Sequence, residues 1–221
     1  MTDGSNISSI ITGTGNLTLN GSSTVTGTVG NSTTSLGNIN ANGIAGKTVT
    51  FANDVYATNI ENTGTGATTF QANVVATNVN VNAGTSTFQD NLTAATTTIS
   101  TGTGNFNTVS GATTSDLRFT DNGTANLNNG LTGNVTTTAD NKGTLNLVGS
   151  SNQTVTGPVG ASGASLAEVN AGANGSTSTF ANDVYATNTN IGSGRVDFNT
   201  VSGITNTNII LSPCNNEHDV I

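Results

Sequence analysis

The stretch TFANDVYATNIENTGTGA (50–67) is followed by two segments of the same pattern, TFQANVVATNVNVNAGTS (69–86) and TFQDNLTAATTTISTGTG (87–104). A fourth segment, NFNTVSGATTSD (105–116), begins the pattern again. The phenylalanines near the start of these segments follow one another at intervals of 19, 18 and 18 residues and are Phe51, Phe70, Phe88 and Phe106. Each segment has an extended stretch, a corner of Asn, Gly or Thr, and a second extended stretch. The chain is therefore built from short β repeats.

One repeat of this length cannot bury a core alone, so neighbouring repeats must stack. Alternation predicts that the following residues face inward in the first two repeats: Phe51, Val55, Ala57, Ile60, Phe70, Val74, Ala76 and Val79. Stacking about 4.8 Å apart pairs the backbones of successive coils and places Phe on Phe, with ladders of Asn at the corners.

This pattern predicts an all-β fold, a right-handed parallel β-helix (β-solenoid) with coils of about 18–20 residues and three short faces. A β-sandwich or an irregular β stack is the alternative. Intrinsic disorder fits poorly, because disordered chains are usually rich in proline and charge. Here proline occurs twice, and Thr, Val and Ile favour extended backbone.

The sequence also contains a duplication on a longer scale than the short repeat. LTLNGSSTVTGTVG (17–30) recurs as LNLVGSSNQTVTGPVG (145–160), and TFANDVYATNI (50–60) recurs as TFANDVYATNTNI (179–191). The two copies are offset by close to 129 residues. Whole coils are gained or lost most easily in a fold whose repeats contact only their neighbours, which again favours a solenoid.

These repeats predict a solenoid over residues 1–211, with the internal duplication 17–60/145–191, and a non-repeat tail over 212–221. The region 112–145 keeps the alternation but is less regular, so we expect coils with insertions there. The segment GASGASLAEVNAGANGS (160–176) is rich in small residues, and we expect a loop or a short turn of helix that projects from the stack.

The composition excludes several classes of function. Only 7% of residues are charged and 33% are hydrophobic, whereas Thr, Asn and Gly make up almost half of the chain. The net charge is −8 with only four basic residues, which argues against nucleic acid as a partner because nucleic acid requires a clustered basic surface. No apolar run is long enough for a transmembrane helix, so we expect no membrane insertion by this segment.

The order L-x-L-x-G-S-S, T-V-T-G-x-V-G and T-F-A-N-D-V-Y-A-T-N, present twice, resembles the passenger regions of rickettsial surface-antigen autotransporters of the outer membrane protein A and B group. The resemblance covers most of residues 5–212. It implies a β-solenoid passenger displayed at the bacterial cell surface or outer membrane, with roles in surface layering, adhesion and invasion. The partners that it implies are a host-cell surface protein or neighbouring passenger coils.

The sequence departs from the pattern of that family, since its start lacks a basic region followed by an apolar region, and we expect neither a signal peptide nor a C-terminal barrel in it. Its last residues, SPCNNEHDVI (212–221), break the repeat and contain Cys214 and His218, the only cysteine and the only histidine. We therefore expect a piece of a longer passenger gene. Neither Cys214 nor His218 has the partners that a nucleophile–base pair requires, and both are expected to be simple tail residues.

The carboxylates are the remaining candidates for chemistry, because many parallel β-helices act on polysaccharides and a glycosidase needs two carboxylates about 5–10 Å apart. The candidates for such a pair are Asp90, Asp116, Asp121 and Asp140. Corner or surface positions are the simpler explanation for all four.

Two further pairs of residues occupy equivalent positions in the duplicated copies. Asp54 and Asp183 lie in the repeated FANDVYATN and are expected to cap their own turns through Asx geometry, with a calcium site as the alternative. Tyr56 and Tyr185 follow them and are expected to be strand residues that shield the stack, or exposed adhesive contacts.

The sequence accordingly predicts no catalytic, cofactor-binding or metal-binding residue and no cofactor. It predicts a structural and adhesive module rather than an enzyme, with a carbohydrate-active β-helix enzyme as the alternative. A third possibility is a decayed gene fragment.

Overall fold

The computed structural model describes residues 3–199 and 205–212. These residues form 21 short β-strands and one turn of 3₁₀-helix at Ala173–Gly175. In chain order the strands are β1 Ser5–Ile7, β2 Asn16–Asn20, β3 Ser23–Val25, β4 Leu36–Asn42, β5 Thr48–Phe51, β6 Val55–Asn62, β7 Ala67–Phe70, β8 Val74–Val81, β9 Thr85–Phe88, β10 Leu92–Ile99, β11 Thr103–Phe106, β12 Thr113–Phe119, β13 Thr124–Leu127, β14 Val135–Thr137, β15 Lys142–Leu147, β16 Gln153–Val155, β17 Leu166–Ala171, β18 Thr177–Phe180, β19 Val184–Ile191, β20 Arg195–Phe198 and β21 Thr205–Leu211.

Every strand pairs in parallel with a strand two places away in the chain. The odd-numbered strands form an 11-stranded sheet, β2 to β14 form a 7-stranded sheet of even-numbered strands, and β16, β18 and β20 form a 3-stranded sheet. Parallel pairing at this constant interval requires the chain to return to the same edge after each turn. The chain is therefore a β-solenoid of about 10 turns, which confirms the predicted fold and excludes the sandwich.

Each coil has three sides because the long strands of the 7-stranded sheet bend once. In β6, Val55 and Ala57 are buried, and burial resumes only at Ile60. The two residues between Ala57 and Ile60 both face outward, which breaks the alternation of a straight strand. In the coils that contain the 7-stranded sheet, one side is thus an odd-numbered strand, and the other two are the halves of an even-numbered strand.

A ladder of phenylalanine rings runs through the core. The ring centroids of Phe51, Phe70, Phe88 and Phe106 lie 5.0, 5.0 and 5.4 Å apart, and the rings are parallel to within 5°. All four side chains are buried. Burial of each ring stabilises the fold by about 1.5–3 kcal/mol, so this ladder is a major source of the stability of the stack.

The predicted inward positions are confirmed in the first two repeats. Seven of the eight are buried, and the remaining one, Ala76, is partly buried and packs against the core. The backbone pairing of β6 with β8 aligns Val55 with Val74 and Ile60 with Val79. Residues of the same type therefore stack on one another, as the repeat predicts.

The less regular region 112–145 also belongs to the stack. It contains β12, β13 and β14 and the start of β15, all of which pair with strands of neighbouring coils. Six residues, 107–112, separate β11 from β12, whereas three residues, 89–91, separate β9 from β10. The predicted coils with insertions are thus confirmed, and one insertion lies at the corner that precedes β12.

The expectation for residues 160–176 is wrong for the middle of the segment, residues 166–171. Leu166–Ala171 forms β17, which lies inside the 11-stranded sheet, and only Ala173–Gly175 forms the expected short helical turn. The reason is that Leu166 and Val169 face inward and are fully buried, as Leu36 and Ile39 are in β4. The surrounding Gly, Ala and Ser residues hid these two inward positions from the sequence pattern.

The second copy of the duplicated block is rotated by one side of the coil relative to the first. The strand that begins VYATN belongs to the 7-stranded sheet in the first copy, as β6, and to the 11-stranded sheet in the second copy, as β19. The phenylalanine strand moves from the 11-stranded sheet, as β5, to the 3-stranded sheet, as β18. The residues between the copies therefore do not make up a whole number of coils.

Replacement of Phe88 by alanine tests the importance of the ladder. We expect the free energy of unfolding to fall by about 3–5 kcal/mol, because a cavity is left between Phe70 and Phe106. Equilibrium unfolding in guanidinium chloride, followed by circular dichroism, measures the loss. The control is Thr69→Ala on the outer surface of β7, expected to change stability by less than about 0.5 kcal/mol. Similar losses for both variants would contradict the ladder's role.

Candidate functional site

Several aspartates cap backbone N–H groups of the next coil. In each case a carboxylate oxygen accepts a hydrogen bond from a backbone N–H roughly one turn later in the chain. The pairs are Asp3 with Ser22 (2.6 Å), Asp54 with Asn73 (3.1 Å), Asp116 with Asn134 (2.9 Å) and Asp140 with Ser165 (2.8 Å). These carboxylates connect one coil to the next.

The prediction that Asp54 caps its own turn through Asx geometry is therefore wrong. Its carboxylate bonds the N–H and the side-chain amide of Asn73, both at 3.1 Å, and not an N–H of its own turn. The N–H of Tyr56 instead donates to the carbonyl of Val29. Asp183 occupies the same corner position in the second copy, where its carbonyl accepts a hydrogen bond from Val159 as that of Asp54 does from Val29.

The four aspartates that were candidates for a glycosidase pair lie at three different corners. Asp90 lies between β9 and β10, and Asp116 lies within β12, at the bend of the long strand. Asp121 and Asp140 share the third corner, on successive coils. Asp90 and Asp116 are therefore on adjacent coils but at separate corners, and only Asp121 and Asp140 occupy the same corner.

The electrostatics of Asp121 and Asp140 do not suit acid–base catalysis. The hydrogen bond from the Lys142 ammonium, at 2.8 Å, lowers the pKa of Asp121. The N–H and the hydroxyl of Ser165, both at 2.8 Å, lower the pKa of Asp140. A glycosidase requires one carboxyl with a raised pKa as the proton donor. Both of these groups are instead held in the ionised form.

Asparagine side chains form ladders on the outer surface. Each amide nitrogen donates to the amide oxygen of the preceding coil. The longer ladder contains Asn105, Asn126, Asn146, Asn170 and Asn190, with N–O distances of 2.6–2.7 Å. The shorter ladder contains Asn16, Asn38, Asn59 and Asn78, at 2.8–3.0 Å. Asparagines also stack at the corners, as expected: the amide nitrogen of Asn91 donates to the amide oxygen of Asn73 at 2.8 Å, at successive copies of one corner. The shorter ladder reaches the bend of the long strands at Asn59 and Asn78, and the longer ladder follows the strands.

The two tyrosines are strand residues with half-buried side chains, as one of the two interpretations predicts. The N–H of Tyr56 donates to Val29 and that of Tyr185 donates to Val159, each at 2.7 Å. The carbonyl of Tyr56 passes so close to Gly30, where φ is +67°, that a Cβ there would lie 2.3 Å from it. Gly160 meets Tyr185 in the same way, so both copies share one local structure.

A polar cleft of about 320 Å³ lies at one corner near the junction of the two copies. Its walls come from residues 107–110 and 149–151, and its floor comes from Asn128 and Asn129. The sequence interpretation did not identify this cleft. The available signal was the length of the corners, since residues 107–112 number six where earlier corners have three.

Within the described residues, no group of three or more His, Cys, Asp or Glu side chains is arranged to hold a metal ion. The same part of the chain contains no helix long and apolar enough to cross a membrane. Cys214 and His218 lie outside the described residues.

No family model, no curated protein and no solved structure matches this chain. The resemblance to rickettsial autotransporter passengers therefore stays a prediction based on the order and duplication of the sequence motifs.

Replacement of Asp140 by alanine tests the coil-capping role. A folded-state pKa below the unfolded-state value of about 4 gives a stabilising contribution that is complete above pH 4 and is lost as the pH falls through the folded-state pKa. We expect Asp140→Ala to be less stable than the parent at pH 7, with a difference that shrinks in strong acid. Unfolding midpoints in guanidinium chloride, at pH 7 and in strong acid, measure this difference in stability.

The matched control is Ser162→Ala, an exposed neutral change in the same region. It is expected to leave the pH dependence of the midpoint unchanged. If the difference in unfolding midpoint between Asp140→Ala and the parent grows as the pH falls, the pH dependence has the opposite sign. That result contradicts the proposed capping.

Proposed function

We propose that this chain is a structural and adhesive segment of a bacterial cell-surface autotransporter passenger. It binds a host-cell surface protein or neighbouring passenger coils through its sides and corner loops. The observation that carries the proposal is the uninterrupted stack of parallel coils, in which the 11-stranded sheet runs from Ser5–Ile7 to Thr205–Leu211.

A stack of this kind suits a rod that holds binding surfaces away from a cell. About 10 turns at about 4.8 Å per coil give a length of roughly 48 Å. Residues that line up from coil to coil, such as the asparagine ladder from Asn105 to Asn190, form long and regular outer surfaces. Such surfaces suit extended contacts with a partner more than the enclosure of a small substrate.

The arrangement of the carboxylates favours this role over a carbohydrate-active enzyme. Asp90 and Asp116 lie at separate corners, and the pKa values of Asp121 and Asp140 are both lowered. Most of the described aspartates bond to the neighbouring coil, which is a structural use of the carboxylate. The low charge of the outer surface also fits contact with a protein or glycan rather than with nucleic acid.

Binding of the fluorescently labelled chain to cultured mammalian cells tests this function. We expect saturable binding that excess unlabelled chain displaces. Sedimentation velocity measures association between copies of the chain, which tests binding to neighbouring passenger coils. An unrelated soluble β-solenoid of similar net charge is the control and is expected to bind weakly and without saturation.

Two results contradict the proposal. One is the absence of both saturable cell binding and self-association in folded chain. The other is the release of reducing sugars from polysaccharide substrates by purified chain, which would favour the enzyme alternative.

A further inference from the structure

The polar cleft is built by the unequal lengths of three successive corners. The corner after β11 has six residues (107–112), that between Leu127 and Leu131 has three (128–130), and that between β15 and β16 has five (148–152). The corners of earlier coils at the same edge of the sheet have three residues each, for example 71–73 and 89–91. A short corner between two long ones leaves a groove with two walls and a floor.

The first wall is held in place by buried hydrogen bonds. Asn107 is only 3% exposed and has a φ of +56°, a conformation that few residues other than glycine adopt. Its amide nitrogen donates to the carbonyl of Asp90 at 3.0 Å, and its amide oxygen accepts from the hydroxyl of Thr113 at 2.5 Å. The hydroxyl of Ser110 donates to the carboxylate of Asp90 at 3.3 Å.

The floor and the second wall are connected by Gln153, which is 2% exposed. Its side-chain oxygen accepts a hydrogen bond from the N–H of Gly130, and its nitrogen donates to the carbonyl of Gly149. On the floor, the amide nitrogens of Asn128 and Asn129 donate to Phe106 and Gly111. The first wall, the floor and Gly149 at the base of the second wall are therefore held by hydrogen bonds, which preorganises the cleft.

The lining of the cleft is polar and without charge. The side chains available to a ligand include the hydroxyls of Thr108, Ser150 and Ser151, which make no hydrogen bond within the described part of the chain, and the amides of Asn128 and Asn129. Val109, 74% exposed, adds one apolar contact at the rim. A charged ligand would find no opposite charge among these lining residues, and an apolar ligand would desolvate hydroxyls without compensation.

We propose that this cleft binds a neutral sugar unit of a glycan. Hydroxyls and amides supply both donors and acceptors to sugar hydroxyls, and Val109 provides contact for the C–H face of a pyranose ring. A volume of about 320 Å³ falls at the lower end of the range of ligand sites, which suits one or two sugar units. The inference rests on the proposed adhesive function, for which it names a class of partner.

The first copy of the duplicated block supplies an internal comparison. The corner in LNGSSTV (19–25) lacks two residues that are present in LVGSSNQTV (147–155). Gly21, Ser22 and Ser23 therefore occur at the equivalent place without the long corner. Ser23 is buried and its hydroxyl has no hydrogen-bond partner, so alanine is tolerated there. The pair Ser22→Ala/Ser23→Ala is thus a matched control for Ser150→Ala/Ser151→Ala.

The experiment measures binding of the folded chain to immobilised oligosaccharides that end in galactose, glucose or mannose. Sialylated and sulfated oligosaccharides serve as charged comparisons. We expect saturable binding to at least one neutral sugar and none to the charged sugars. Ser150→Ala/Ser151→Ala is expected to weaken binding about tenfold, equivalent to about 1.4 kcal/mol, while Ser22→Ala/Ser23→Ala leaves it unchanged. Circular dichroism verifies that both variants are folded.

Three results overturn the inference: no binding to any of these neutral sugars, preference for a charged sugar, or equal binding by the two double variants. Cell binding separates this inference from the proposed function. If folded Ser150→Ala/Ser151→Ala keeps both sugar binding and cell binding at the level of the parent, the sugar site is wrong and the adhesive function stands. If neutral sugars bind as expected but the folded chain neither binds cells nor self-associates, the site stands and the adhesive function is wrong.

Discussion

Hydrogen bonds between the backbones of successive coils are the interaction on which the rest of this structure depends. Each strand finds its partners one turn earlier and one turn later, so almost no strand is satisfied by its neighbour in sequence. Parallel pairing in register places equivalent residues above one another, as with Phe51, Phe70 and Phe88. The stacking of rings inside and of amides outside follows from this single constraint.

The same constraint explains a composition that is unusual for a folded protein. A residue at an outer position is flanked by like residues on both sides, so an asparagine such as Asn146 both donates to and accepts from its neighbours. Salt bridges are few among the described residues, and several carboxylates accept hydrogen bonds from backbone N–H groups instead of pairing with cations. On this surface, repeated hydrogen bonds between neutral side chains take the place of ion pairs.

The fold could be predicted from the sequence because stacked coils require two patterns that are visible in it. These are the regular spacing of the phenylalanines and the alternation of inward-facing and outward-facing residues. The prediction failed at residues 166–171, where Leu166 and Val169 are too sparse among small residues to reveal a strand. It also missed the partners of Asp54 and Asp140, since a capping bond to another coil depends on which residues come to lie side by side. The cleft was not predicted for a related reason, because it arises from the difference in length between three separate corners.

The rotation of the second copy has a consequence for how this architecture evolves. A block that is duplicated in whole turns would display both copies of a surface in one row along the rod. Here the strand that carries Tyr56 faces one way and the strand that carries Tyr185 faces another, because the strands belong to different sheets. Duplication has spread the same local surface around the circumference, so that equivalent strands of the two copies lie on different sides of the stack.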